Sequence, residues 1–264
     1  MKYFLLKILI LFTLFSPVYN FAQFELKDSV LIQLGNISQL SVGNLGQIQL
    51  INNESELIRI SKSKEIFRKP LKKIVSQMDL NLGLRTGVVY NHQELELLDD
   101  KLNPIQDRIN LNQHQIFPSK IALISSQWLW YFDPIENRLV QWNYQLKDTM
   151  SKSDILFFKD GDTTIEEIYA YKNRIFLKSQ HSIYELDIFG NFKADFQLKP
   201  HIKHSFSNDY LFLYNENSIE RINLINRDIS SFDNFFNGKD FIMSDDQLFV
   251  IKNKGLYIYT RIKK

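Results

Sequence analysis

An all-β fold of six four-stranded sheets is the class this sequence predicts, on three observations. Runs rich in Ile, Leu, Val, Phe and Tyr alternate with turns of Asn, Asp, Gly and Ser, the composition of short strands joined by tight turns. No long segment has helical periodicity; the one basic, mixed stretch that approaches it, residues 61–78, is divided by Pro70. A strand–turn–strand–turn–strand unit recurs six times, and an equivalent apolar position in each second strand falls at Ile48, Val88, Leu129, Ile175, Leu211 and Leu248, with steps of 40, 41, 46, 36 and 37 residues. Blades of a β-propeller are four-stranded sheets of about 40 residues, so the expected architecture is a single propeller of six blades.

The elements follow in chain order. Residues 1–22 carry Lys2 and Lys7, an uncharged apolar run from Ile8 to Phe15, Pro17, and Ala22 ahead of the expected cleavage site, the layout of a secretory signal peptide. The run is too short for a membrane span, which takes about 20 residues, so no transmembrane anchor is expected after cleavage. Residues 24–34 read as a lone strand before the first unit, and the sixth unit stops after its third strand. The lone strand is therefore expected to complete the last blade and close the ring. The units begin at Ile37, Ile74, Lys120, Glu167, His204 and Phe241. Six Pro and nine Gly are spread without a linker-like cluster, so residues 23–264 are expected to be one domain.

The hairpins FDPIENRLVQW (Phe132–Trp142) and LDIFGNFKADF (Leu186–Phe196) resemble the strand–Asp–turn–strand hairpins of quinoprotein-like and related propeller repeats. The resemblance implies that Asp133 and Asp187 cap their turns and that Asn137 and Gly190 take the left-handed backbone there. The recurrent Gly and Trp of the quinoprotein pattern are missing from most units, so no cofactor follows from it.

Composition excludes several classes. Residues 1–22 hold two lysines and no acid, so of 32 Lys and Arg 30 remain, against 30 Asp and Glu. This balance argues against a nucleic-acid binder, which draws its affinity from neutralised phosphates. The absence of Cys removes disulfides, thiolate metal sites and a cysteine nucleophile. No catalytic motif survives a check of spacing: no Ser lies in a Gly-x-Ser-x-Gly context, residues 159–162 lack the later ligands of a calcium loop, and His201 and His204 fall on turn and strand where an H-x-x-H pair needs a helix.

Three groups remain. Glu167 with Glu166 beside it, His204 and Asp240 stand at the starts of inner strands of three blades and could converge on a divalent cation, or be solvated strand ends. Trp128, Trp130 and Trp142 lie in one blade and are read first as packing between blades and second as a surface that stacks on a glycan, for which Trp128 and Trp142, nearest the strand ends, are the residues expected to be most exposed. Lys69, Lys72 and Lys73 belong to a basic run from Lys62, read first as a solvated connection between units one and two and second as a patch for an anionic surface. The expected function is a non-catalytic propeller outside the cytoplasm, periplasmic or extracellular, that docks to a protein or cell-envelope component. A hydrolase or lyase with a cation at the channel mouth and a glycan-binding module are the alternatives.

Overall fold

Strands shielded on both faces need no apolar–polar alternation, and the middle strands of the repeat read as near-continuous apolar runs such as IQLIN and TGVVY, in which every residue is buried. The computed structural model describes residues 24–32, 36–43, 45–61, 64–80, 83–158, 164–233, 241–252 and 255–262, and these form six four-stranded antiparallel sheets. Strand β1 is Phe24–Leu31. Blade one is β2 (Ile37–Val42), β3 (Ile48–Asn52), β4 (Glu56–Ile60) and β5 (Ile66–Pro70), and blade two is β6 (Val75–Asp79), β7 (Thr86–Tyr90), β8 (Glu94–Leu98) and β9 (Ile109–Asn110). Blade three is β10 (Lys120–Leu123), β11 (Trp128–Asp133), β12 (Arg138–Asn143) and β13 (Asp148–Lys152), and blade four is β14 (Ile165–Tyr171), β15 (Arg174–Ser179), β16 (Ser182–Asp187) and β17 (Phe192–Gln197). Blade five is β18 (Lys203–Ser207), β19 (Tyr210–Tyr214), β20 (Ser218–Asn223) and β21 (Ile229–Asp233). In blade six, β22 (Phe241–Ser244), β23 (Gln247–Lys252) and β24 (Gly255–Arg261) are completed by β1, which pairs antiparallel with β24 from Phe24↔Arg261 to Leu31↔Gly255. The N-terminal strand closes the ring, as the sequence predicts.

Ring closure is visible in the core. Six apolar clusters each join two consecutive blades, among them Ile51 and Leu57 with Val88 and Tyr90, and Tyr169 and Phe176 with Phe206 and Leu211. The sixth joins Ile242, Phe249 and Leu256 of blade six to Leu40, Val42 and Ile48 of blade one. All six repeat-marking residues are at most 3% exposed. Burial of each Leu or Ile of this kind is worth about 1.5–3 kcal/mol, which makes the seams between blades the main source of stability.

Hydrogen bonds across the seams keep the repeat in register. The Gln77 side chain donates to Ile121 O at 2.5 Å and accepts from Ile121 N at 2.9 Å, and Asp79 accepts from Leu123 N at 2.6 Å. Ser207 meets Ser244 at 2.7 Å and Asn208 donates to Asp245 at 2.6 Å. Turn chemistry agrees with the resemblance. Asp133 accepts from Ile135 N and Glu136 N, Asp187 accepts from Phe189 N and Asn191 N, and Asn137 and Gly190 have φ of 50° and 86°.

Two expectations need correction. The basic run is not simply a loop: Ile66–Pro70 within it is the outer strand of blade one, and three of its cations pair with neighbours, Arg68 with Glu56 (2.6 Å), Lys69 with Glu96 (3.5 Å) and Lys73 with Glu94 (2.6 Å). Lys72 is exposed in the short connection that follows. Trp142, expected at an exposed end, is 2% exposed, because it packs into the apolar cluster between blades two and three with Leu95, Leu97 and Leu111, and His114 of the 3-10 turn Asn112–His114 lies against its indole, ring centroids 5.5 Å apart. Residues 1–22, Lys62, the 159–162 segment and Asp240 lie outside the described residues.

Candidate channel-mouth site

Inner strands line the central channel, and where they begin they form one mouth of a cavity of about 280 Å3 bordered by Gln39, Gln77, Asp79, Lys120, Glu167 and His204. A β-bulge shapes this end. In β2, β6 and β14 the pairing slips at the second residue, leaving Ser38, Ser76 and Glu166 as the extra residue. A bulge re-aims a side chain that would otherwise alternate away. In blades one and two the extra serine hydroxyl donates to its own sheet, Ser38 to Ile51 O and Ser76 to Val89 O, both at 3.0 Å. Blade four breaks the repeat, with Ile-Glu-Glu where the others read Ile-Ser-Gln and Val-Ser-Gln, and so brings two adjacent carboxylates to the mouth.

Each carboxylate has a basic partner. Glu167 Oε2 lies 2.8 Å from His204 Nε2 and bridges blades four and five. Glu166 Oε2 accepts from Lys178 Nζ at 2.5 Å, and that ammonium, with a fully buried side chain, also donates to Ser179 O at 2.8 Å. Burial raises the Glu166 carboxyl, but the hydrogen bond and charge of Lys178 outweigh it, and the group sits below the usual range. His201 stands beside His204, ring centroids 5.8 Å apart, with Nδ1 donating to Lys199 O at 2.9 Å. Burial, aided by the nearby Lys178 charge, pushes the His201 imidazole down, so it is neutral at pH 7. A second recess of about 360 Å3 beside the channel is bordered by Glu166, His181, Pro200, His201, Ile202 and His204, which gathers three of the chain's five histidines in one place.

The arrangement sets an imidazole and a carboxylate from two blades within hydrogen-bond distance at the mouth. The Ser205 hydroxyl next to His204 is turned away to Tyr214 Oη at 2.6 Å. Among the described residues no three His, Asp or Glu side chains are gathered as metal ligands. Of the three cation candidates the structure brings Glu167 and His204 together. The aromatic candidates divide: Trp130 and Trp142 are core residues, and Trp128 is half-buried. Lys69, Lys72 and Lys73 lie on blade one and its connection to blade two, away from this mouth's acid–histidine side. Glu166 was reachable as the neighbour of Glu167 and His201 as half of the H-x-x-H pair, whereas Lys178 was not singled out by the sequence reading. Nothing local marks Lys178, since its apolar neighbours only describe a buried strand.

No family model matches the sequence, and no curated protein is similar to it in sequence. Solved propellers share its fold. PorZ, an essential bacterial surface component of the type-IX secretion system of Porphyromonas gingivalis, superposes with a TM-score of 0.53 at 12% identity over 88% of this chain, which spans 33% of that one. BamB from Moraxella catarrhalis gives 0.50 at 8% identity over 90% of this chain and 98% of that one, and the Neurospora crassa Pan2 WD40 domain gives 0.53 at 10% over 87% and 90%. At such identities the likeness establishes the architecture: the chain is a six-bladed β-propeller.

Proposed function

We propose that this protein is a non-catalytic docking scaffold of the cell envelope, exported by residues 1–22 and folded as one domain over 23–264. The observation that carries this reading is a repeated exposure. Among the described residues, four lying between consecutive blades present a large apolar side chain to solvent at the same end of the ring, Ile74, Phe117, Phe157 and Ile202, and Leu31 does so at the close of β1. Singly scattered apolar residues are ordinary, but five of them at one end of the ring are a distributed anchor surface of the kind partners bury. The opposite end adds Leu84, Leu146 and Phe189. Export from the leader, the balanced charge and the fold shared with PorZ and BamB support placement in the periplasm or at the surface, with a protein or envelope component as partner.

Photo-crosslinking residues placed at Phe157 and Ile202 in the expressed chain test the proposal. A discrete protein adduct at both, lost when the neighbouring anchors are changed to Ser, is expected; no adduct at any connection would sink it. A second reading, a hydrolase or lyase using a divalent cation held by Glu167 and His204, draws on their pairing. Metal analysis separates the two, because stoichiometric zinc or calcium in purified protein favours the enzyme.

A further inference from the structure

Outer strands of blades are free sheet edges, and proteins normally blunt such edges with lysine, proline or bulges. Blade one does so with Arg68, Lys69 and Pro70, and blade two with a two-residue outer strand. In blade three β13 is bulged at Met150, and in blades four and six the bulged residue is itself a lysine, Lys193 in β17 and Lys27 in β1. Strand β21 of blade five has none of these. Its sequence, Ile229-Ser-Ser-Phe-Asp233, contains no Lys, Arg or Pro, and it pairs with β20 without a slip from Ile222↔Ile229 to Ser218↔Asp233.

The direction of its free groups follows from the ladder. Asn223 N donates to Asp228 O at 2.9 Å, so in this register the hydrogen-bonded pairs are Arg221↔Ser230 and Ile219↔Phe232. The main-chain N–H and C=O groups of Ile229, Ser231 and Asp233 therefore face outward. The strand is held ready for pairing: Phe232 is 4% exposed, with the guanidinium groups of Arg221 and Arg261 over its ring at 5.4 Å and 4.6 Å. At either end stands an exposed carboxylate, Asp228 and Asp233, and among the described residues neither is in an ion pair.

We infer that the edge of β21 is a docking site for an extended segment of a partner protein, added as a fifth strand to blade five, with basic residues about five positions apart meeting Asp228 and Asp233. An extended chain is the one ligand that satisfies alternating main-chain donors and acceptors, and the two acids select a strand with cationic ends. The inference rests on the docking-scaffold reading and names a surface and partner chemistry for it.

The probe is a fluorescein-labelled peptide Lys-Val-Thr-Val-Thr-Lys, followed by anisotropy with the full exported chain. Saturable binding is expected, weakened several-fold by Asp228→Asn with Asp233→Asn and by added salt, and absent when both peptide lysines are glutamate. Ser231→Pro removes an outward N–H only, so it should keep the fold by circular dichroism and weaken binding by about tenfold or more, the equivalent of about 1.4 kcal/mol. Ser231→Lys, which retains the N–H and adds a repelling charge, should act in the same direction if the proline variant is unstable. Failure of the peptide to bind, or binding unchanged in both Ser231 variants, overturns the inference. So does a dimer of the chain that Ser231→Pro converts to monomer, which would assign the edge to a second copy. Loss of the edge site with intact crosslinks at Phe157 would leave the scaffold reading standing.

Discussion

The seam between blades four and five and the seam that closes the ring between blades six and one bury similar apolar side chains, yet they are fastened differently. The first carries the His204–Glu167 contact, a hydrogen bond from Tyr169 Oη to Asn208 O at 3.1 Å, an ion pair of Lys172 with Asp209 at 3.0 Å, and Tyr169 stacked on Phe206 at 4.7 Å. The second is Ile242, Phe249 and Leu256 against Leu40, Val42, Ile48 and Leu50, with Val30 and Ile32 beside them and the exposed Lys64–Asp28 pair at the rim. Directional bonds fix register at the seam between blades four and five and set polar side chains of both blades in contact. The closing seam joins the two ends of the chain, and there non-directional burial and the β1–β24 ladder suffice. Chemistry therefore collects at the polar seam and stability at the apolar one.

The largest expected effect breaks the comparison if it fails. Phe249→Ala, at 2% exposure, should cost about 3–5 kcal/mol by urea denaturation, since it empties the closing seam and no other blade can fill the space. Tyr169→Phe at the polar seam should cost about 0.5–1.5 kcal/mol, the net worth of one buried hydrogen bond, while its stacking is retained. If the two costs come out equal, the distinction between the seams is wrong. The smallest effect concerns acid. The folded-state pKa of His201 lies below its unfolded value, so its contribution is present above the unfolded pKa near 6.5 and is lost as pH falls toward the folded value. Wild-type melting temperature should drop between pH 7 and pH 5, and His201→Gln should flatten that drop by a few degrees at most. A steeper drop in the variant would reverse the assignment.

Much of this was legible in the chain. Turns capped by Asp133 and Asp187 are local chemistry, and a side chain two to four residues from its partners needs no tertiary help. The pairing of Glu167 with His204 was reachable because both open an inner strand of the repeat. Packing between blades is the first reading of the Trp group and holds for Trp142; its place near a strand end misled only as to exposure, since the neighbouring blade and the connection with Leu111 and His114 cover it. Lys69 was misjudged likewise: its partner Glu96 belongs to the next blade.

What the sequence determined by itself was the blade: strand-forming runs, turn residues and a period near 40, each a property of neighbours along the chain. What only the tertiary structure decided was which charges are paired, which aromatics are covered and which sheet edge is left open. Those depend on residues some 20–40 positions apart being brought across a seam, and a seam has no counterpart in the linear pattern.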